Sequence, residues 1–155
     1  MNARNFICID IVEKMARFVR RDIPALSSDE LIARLDYDID MKKQALKDAM
    51  DNGSNTKNVR GYSYHDNNER LLTDEVQRRH NMGEPVMWKY GKWRTNDDAY
   101  DLMKKEKNDL EERIKQLKFL LEFGVSHATQ DRLIENQIDL DYVNIQIRDI
   151  ERKYL

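Results

Sequence analysis

The chain has 155 residues, of which 36% are charged, with a formal net charge of −2, five Gly and two Pro. This length suffices for a folded core, the shortage of Gly and Pro favours helices, and a charge near zero argues against a chain built as a whole to bind polyanions. The single Cys, Cys8, excludes an intramolecular disulfide and fits a reducing compartment. We therefore expect a cytoplasmic, mainly helical protein.

The N-terminal segment predicts an amphipathic helix over Asn5–Ile23, which Pro24 should end because the residue before a proline avoids helical geometry. A short strand over residues 6–9 is the alternative for its beginning. The apolar run in this segment is too short and too interrupted by charge to span a bilayer, and no signal peptide is visible. A basic amphipathic helix can also lie on a membrane surface, but packing on the C-terminal helical hairpin, which needs a partner, is the favoured interpretation, so we expect no membrane interaction. The helical face is formed by Ile11, Met15, Phe18 and Val19.

A capping box at Ser27 and Glu30 is the clearest local signal in the chain. Leu26 and Leu31 are spaced for the accompanying hydrophobic staple, and the helix should extend to Asn52–Gly53. Carboxylates along this helix predict a solvated acidic face rather than a metal site, because a hard cation needs more oxygen ligands than the two that share a face. This face is the alternative binding surface, and its residues are Asp36, Asp38 and Asp40.

The middle of the chain predicts a polar, mobile loop over residues 53–65, a shorter helix over Asp66–Met82 and a β-hairpin over Val86–Thr95. The hairpin should turn at Tyr90–Gly91, which pairs Trp88 with Trp93 on one face. An isolated hairpin is marginally stable in water, so it should lean on the helices or on a partner. Residues 53–96 are also the most basic segment, with eight basic against five acidic side chains.

The strongest periodic signal lies in residues 96–155, where two long helices, 96–123 and 126–154, should fold back on each other. The second helix carries two adjacent apolar stripes. One antiparallel helix cannot cover both, so we expect either the N-terminal helices or a second subunit, in a homodimer, to pack there. One stripe comprises Leu133, Leu140, Ile147, Ile150 and Tyr154, and the other comprises Ile134, Ile138, Tyr142 and Ile145.

These elements predict a mainly α fold. A long antiparallel C-terminal helical hairpin of coiled-coil type should be packed with two N-terminal helices, with a small β-hairpin or irregular insertion in the middle. Residues 1–155 are predicted to form a single helical domain. Its parts are the N-terminal helices over 1–52, a middle segment over 53–95 and the long hairpin over 96–155.

The chain carries no convincing motif for catalysis. It has no Gly-rich phosphate loop and no GxSxG nucleophile elbow, and its acidic helices lack the doubled ExxE or ExxD arrangement with which helical nucleotide hydrolases hold magnesium. His65, His80 and His127 lie far apart and have no metal-ligand spacing with Cys8 or with one another. We therefore expect no enzymatic activity, no cofactor and no metal.

The best candidate site is the basic, aromatic segment 60–94. Aromatic rings that stack and cations that meet phosphates are typical of nucleic-acid surfaces, but Trp, Tyr and Arg also dominate hot spots between proteins. A purely structural interpretation is that Trp88 and Trp93 fix the hairpin to the core. The predicted partner-binding residues are Arg60, Tyr62, Tyr64, Arg78, Arg79, Trp88, Lys89, Tyr90, Lys92, Trp93 and Arg94.

The leading functional hypothesis is a non-enzymatic protein that binds another protein. Its size, Asn content and lack of a catalytic motif are typical of a small accessory protein of a phage or other mobile element. They suggest a regulator or inhibitor of a larger host machine, for example a defence nuclease complex. The alternative is a nucleic-acid-binding regulator that uses segment 60–94. Salt dependence separates the two, because phosphate contacts lose affinity steeply as salt rises.

Overall fold

The computed structural model describes residues 20–53, 60–124 and 126–154, which are mainly helical, as predicted. The chain divides into two compact units, Met1–Thr95 and Asn96–Leu155, which we call the N-terminal and C-terminal units. That both units belong to a single domain stays a prediction. After a 3-10 turn at Arg20–Ala25 the elements are α1 (Ser28–Asp51), α2 (Arg60–Asn81), β1 (Val86–Lys89), β2 (Lys92–Thr95), α3 (Asn96–Glu122) and α4 (His127–Tyr154).

The start of the described chain differs from the prediction. The predicted helix Asn5–Ile23 lies outside the described residues up to residue 19, as does Cys8. Its predicted stop at Pro24 is wrong, because the 3-10 turn Arg20–Ala25 contains Pro24. A proline fits there because its fixed φ of about −65° lies within the range of 3-10 geometry.

The capping box at the start of α1 is confirmed. The Glu30 amide donates to Ser27 Oγ at 3.2 Å, and the Ser27 amide donates to Glu30 Oε2 at 2.8 Å. Leu26 and Leu31 belong to the same hydrophobic cluster, as the staple requires. The helix ends as predicted, with Asn52 as its C-cap.

Helix α2 begins at Arg60 rather than at the predicted Asp66, so the predicted loop is shorter. Residues 54–59 lie outside the described residues. The additional first turns of α2 contact α1, and the local sequence gives no sign of these contacts. A Cβ at Gly61 would lie 3.9 Å from that of Ala45, and His65 is buried against Asp38 of α1.

The β-hairpin is confirmed with the predicted register. β1 and β2 are antiparallel, Trp88 pairs with Trp93, and Tyr90 and Gly91 form the turn between them. Both turn residues have positive φ, 51° at Tyr90 and 77° at Gly91. Two positive φ values are the signature of the type I′ turn, whose twist matches that of the flanking strands.

The core of the N-terminal unit is formed where α1, α2, the 3-10 turn and the hairpin meet. Val86 and Trp93 bring the hairpin into this cluster, so the hairpin leans on the helices, as expected for so small a sheet. The buried cluster comprises Ile23, Leu31, Ile32, Leu35, Leu72, Val76, Val86 and Trp93.

The C-terminal unit is the predicted helical hairpin, with α3 and α4 packed against each other. None of the described helices combines the length and the apolar character needed to cross a membrane. The second apolar stripe of α4 is exposed: Ile134, Ile138, Tyr142 and Ile145 are each more than half accessible. It lies on the side of the helix away from the buried residues, so the prediction that the two stripes are adjacent is wrong. The buried side chains of α3 and α4 are Asn96, Ala99, Met103, Leu110, Ile114, Val143, Ile147 and Ile150.

Candidate functional site

The register of the β-hairpin sorts its side chains onto two faces. Because side chains alternate along a strand, Trp88 and Trp93 share one face with the buried Val86. The opposite face carries a methionine and three basic side chains. These are Met87, Lys89, Lys92 and Arg94.

Trp88 is the most exposed aromatic side chain of the hairpin, and its ring contacts a buried one. It is 58% exposed, whereas Trp93 is 8% exposed, and the two rings meet edge to face with centroids 5.7 Å apart. The His80 ring packs against Trp93, with the two ring centroids 5.5 Å apart, and His80 Nδ1 lies 2.9 Å from the Val86 carbonyl oxygen. The structural interpretation therefore applies to Trp93, while Trp88 presents most of its surface to solvent.

The turn and the face opposite Trp88 carry the polar and basic groups of the hairpin. Tyr90 is exposed at the tip of the hairpin, and Lys89 Nζ lies 4.8 Å from its ring centroid. Arg94 Nε donates to the Lys89 carbonyl oxygen at 3.0 Å, which ties the two strands together on this face. With Lys92 these residues make one face of the hairpin basic, while Trp88 on the other face and Tyr90 at the tip are aromatic. We define the hairpin patch as Trp88, Lys89, Tyr90, Lys92 and Arg94.

The three carboxylates of the alternative acidic surface have different surroundings. Asp36 is half-buried and accepts a hydrogen bond from Lys92 Nζ at 2.7 Å, which joins α1 to the hairpin. Asp40 is exposed. Asp38, however, is completely buried, so its predicted place on an exposed acidic face is wrong. A buried carboxylate needs polar partners, and Asp38 finds them on α1 and α2.

Asp38 is the centre of a buried polar network between α1 and α2. Arg34 Nε donates to its Oδ2 at 2.9 Å, while His65 Nδ1, at 2.7 Å, and Asn68 Nδ2, at 3.3 Å, reach its Oδ1. Both contacts to Oδ1 come from nitrogen atoms of α2. The ring of Tyr37 lies beside both Arg34 and His65. The network joins the two helices and uses donors from both.

Arg78 and Arg79, predicted to bind a partner, both engage Glu75 on α2. The exposed Arg78 donates twice to this carboxylate at 2.8 Å, and the buried Arg79 donates once at 2.9 Å. These hydrogen bonds, from Arg78 first and Arg79 second, lower the pKa of Glu75 to about 2. Arg79 also donates to the Leu26 carbonyl oxygen at 2.5 Å. These contacts connect α2 to the segment before α1. Arg79 is buried, so its predicted place on an exposed binding surface is wrong.

The remaining predicted residues lie at the other end of α2. Arg60 is its first residue, Tyr64 is about half exposed with its ring against His65, and Tyr62 lies 6.0 Å from Lys42 Nζ. At about 1.5 Å per residue, Tyr62 and Arg78 are separated by about 24 Å along the helix. The structure thus brings the hairpin residues together and leaves the two ends of α2 as separate sites.

Two residues that matter to the geometry, Arg34 and Glu75, were not among the predicted site residues. Both belong to i, i+4 pairs of opposite charge, Arg34 with Asp38 and Glu75 with Arg79. That spacing was the available signal, but it is equally common on solvated helix faces. Within the described residues no three His, Cys, Asp or Glu side chains are grouped so that they could hold a metal ion.

A comparison of this chain with protein families, with curated protein sequences and with solved structures finds no match. Its function must therefore be argued from the geometry of its own side chains.

Proposed function

We propose that this protein is a non-enzymatic protein-binding module and that the hairpin patch is its binding surface. The observation that carries the proposal is the exposed Trp88 ring, which packs edge-on against the buried Trp93. Trp and Tyr concentrate binding energy in interfaces because they bury a large, rigid apolar area. A role as regulator or inhibitor of a larger machine would be exerted through this surface.

The rigidity of its support suits Trp88 to binding. The ring of Trp93 lies in the hydrophobic core, and His80 packs on it while contacting the Val86 carbonyl oxygen. An aromatic side chain that is already ordered loses little conformational entropy when a partner covers it. The support thus favours affinity beyond what the exposed area of Trp88 alone would give.

The conformation of Tyr90 is a second argument for a binding role. It has φ of 51°, a left-handed conformation that is uncommon for residues other than Gly and is favoured most by Asn and Asp. A bulky aromatic residue at this exposed turn position is therefore a poor choice for folding alone. Strained positions of this kind cluster at functional sites, which is consistent with a binding role for the tip.

The charges around the rings indicate the chemistry of the partner. Lys89, Lys92 and Arg94 lie on the hairpin face opposite Trp88, so a partner that encloses the hairpin would offer an apolar pocket to Trp88 and carboxylates to the basic face. Lys92 already contacts Asp36, and this pair would form part of the polar rim. Such rim charges mainly affect association rate and specificity, while the buried ring supplies the affinity.

Nucleic-acid binding is the second candidate function, and the basic and aromatic character of the hairpin patch favours it. The carboxylate partners of several cations count against it. Arg78 and Arg79 are paired with Glu75, and Lys92 is paired with Asp36. Cations that are already neutralised by carboxylates have less to gain from phosphates, so we rank a protein partner first.

The test is an affinity capture from the native host with four variants of the full chain. Proteins retained by the wild type are identified by mass spectrometry, and their binding to each purified variant is then measured. We expect Trp88→Ala and Arg94→Ala to weaken binding at least tenfold, a loss typical of hot-spot residues. Lys104→Ala and Lys118→Ala are the matched controls, since both lysines are exposed on α3, and should leave binding unchanged.

Folding and salt dependence decide how the result is interpreted. Fluorescence of the remaining Trp93 and circular dichroism verify that Trp88→Ala is folded, and Arg94→Ala is the cleaner probe if it is not. Binding that persists in both folded hairpin variants contradicts the proposal. An affinity for nucleic acid that falls by orders of magnitude between low and physiological salt would favour the second candidate.

A further inference from the structure

Helix α4 has an apolar stripe on the face opposite the one that it buries against α3. Its buried residues are Val143, Ile147 and Ile150. At about 100° per residue, the exposed stripe is centred about 150° from these residues around the helix axis. The stripe consists of Ile134, Ile138, Tyr142 and Ile145, which are between 54% and 62% exposed.

A row of three isoleucines and a tyrosine on one exposed helix face is a candidate interaction surface. Single exposed apolar residues are ordinary, but contiguous apolar patches on a folded protein mark sites of association. The spacing is regular, since steps of four, four and three residues keep the side chains in line over about 16 Å. Such spacing suits the surface of another helix.

The charges along α4 indicate which helix would fit. Residues 127–141 carry four carboxylates, Asp131, Glu135, Asp139 and Asp141, and one basic residue, for a net charge of −3. Residues 142–154 carry two carboxylates and three basic residues, for a net charge of +1. A copy of α4 laid antiparallel on the first places the half of charge −3 of each helix beside the half of charge +1 of the other. Asp131 then lies opposite Asp149, whose charge is compensated by its ion pair with Arg152. A parallel copy would place the two acidic halves together, which is unfavourable.

We infer that the exposed stripe of α4 is the interface of a homodimer in which two copies of this helix pack antiparallel across a twofold axis. In the register that best covers the stripe, Ile134 lies opposite Ile145 of the second copy and Ile138 lies opposite Tyr142. The arrangement is self-complementary, as a twofold interface requires, because each contact occurs twice. It involves none of the residues of the hairpin patch and does not depend on the proposed function.

The size of the stripe sets the expected strength of the dimer. Stable interfaces bury about 800 Å² on each partner, and a stripe about 16 Å long on one helix is smaller than that. We therefore expect a reversible dimer whose population rises with concentration. Sedimentation velocity and light scattering over roughly 1 µM to 1 mM of the full chain should show the apparent mass rising toward twice that of the monomer.

Variants of exposed residues locate the interface. Ile138→Glu introduces a charge at the centre of the stripe and should keep the chain monomeric across the whole range, with unchanged helicity because Ile138 is 62% exposed. Leu120→Glu is the matched control, an equivalent change at an exposed leucine on α3, and should dimerise like the wild type. A wild-type chain that is monomeric at every concentration, or dimerisation that survives Ile138→Glu, overturns the proposal.

Disulfide cross-linking tests the orientation. In a Cys8→Ser background, Asp131→Cys and Asp149→Cys are prepared as separate variants, because the inferred register places residue 131 of one copy opposite residue 149 of the other. Mild oxidation of the mixed variants should give a disulfide between the two different chains. Cross-linking that occurs mainly between identical chains of the Asp131→Cys variant would mean parallel packing and would overturn the antiparallel arrangement.

Discussion

The two units differ in what their interiors contain. Among the described residues of the N-terminal unit, the buried charged side chains are Arg34, Asp38, Glu75 and Arg79, and His65 and Asn68 are buried with them. The buried residues described in the C-terminal unit are apolar apart from Asn96. Directional hydrogen bonds therefore help to fix the N-terminal unit, whereas the C-terminal unit rests on helical periodicity and apolar packing.

This difference suits the two units to different tasks. Buried hydrogen-bonded pairs specify one arrangement of α1, α2 and the hairpin, because any other arrangement would leave charges buried without partners. The N-terminal unit can therefore present Trp88 in a defined position. An apolar helical surface is less selective and tolerates a second copy of itself, as inferred for α4. Four predictions test this comparison, ordered by the size of the expected effect.

The largest effect is expected for Asp38→Asn. The change removes the charge that compensates the buried Arg34 and should destabilise the N-terminal unit by about 3–5 kcal/mol, the cost of breaking a buried ion pair. Trp88 and Trp93 are the two tryptophans of the chain, and both lie in this unit. Denaturation followed by tryptophan fluorescence therefore reports on the N-terminal unit alone. Asp40→Asn, at an exposed position of the same helix, is the control, and equal midpoints for the two variants would contradict the role of the network.

The second prediction concerns pH and Glu75. Its pKa is lowered from 4.5 to about 2, chiefly by the hydrogen bonds from Arg78 and then by those from Arg79. A lowered carboxyl pKa means stability that is fully present above pH 4.5 and is lost as the pH falls from 4.5 to about 2. At about 1.4 kcal/mol per pKa unit the loss reaches about 3 kcal/mol, and less in high salt because Arg78 is exposed.

Comparison with Glu75→Gln isolates this contribution from that of other carboxylates. The wild type should be the more stable protein at neutral pH, and the difference in free energy of unfolding should shrink as the pH falls below 4.5. Fluorescence-detected urea unfolding at a series of pH values measures it. A difference that stays constant from pH 7 to pH 2.5 would mean that Glu75 ionisation does not stabilise the fold.

The same contrast explains which parts of the structure could be predicted from the sequence. The long helices, the capping box at Ser27 and the pairing of Trp88 with Trp93 depend on residues close in sequence, and all were predicted. The burial of Asp38 and Arg79 was not, because their partners His65 and Leu26 lie 27 and 53 residues away. Ionisable residues are mostly exposed, so a sequence pattern assigns them to the surface unless a distant partner is known.

The start of α2 was mispredicted for the same reason. Residues 60–65 are polar, and their helix is supported by α1 through Ala45 and Asp38 rather than by local periodicity. The register of the predicted binding residues in the hairpin could be predicted because a two-residue turn fixes it, and their binding role stays a prediction. Those on α2 were grouped only by sequence distance, and the length of the helix separates them.

A smaller effect is expected for Ser27→Ala. The change removes the acceptor for the Glu30 amide and should lower the free energy of unfolding of the N-terminal unit by about 1 kcal/mol. Ser63→Ala, at an exposed position within α2, is the control and should change stability little. An unchanged fluorescence midpoint for Ser27→Ala would mean that the capping box does not stabilise α1.

The smallest effect, of opposite sign, is expected for Tyr90→Asn. Asn accepts the left-handed conformation several-fold more readily than most residues, so the variant should be more stable by about 0.5–1 kcal/mol if the turn governs stability. Gly91→Ala is the matched variant. An added Cβ at this position meets no atom within 4 Å, so the change in stability would measure backbone strain without a steric clash. It should lower stability by about 1–2 kcal/mol.

If Tyr90→Asn stabilises the unit yet weakens binding to the captured partner, Tyr90 serves recognition at a cost to the fold. A loss of stability in Tyr90→Asn would instead show that the tyrosine ring supports the hairpin, which would weaken the argument for the tip as a binding surface.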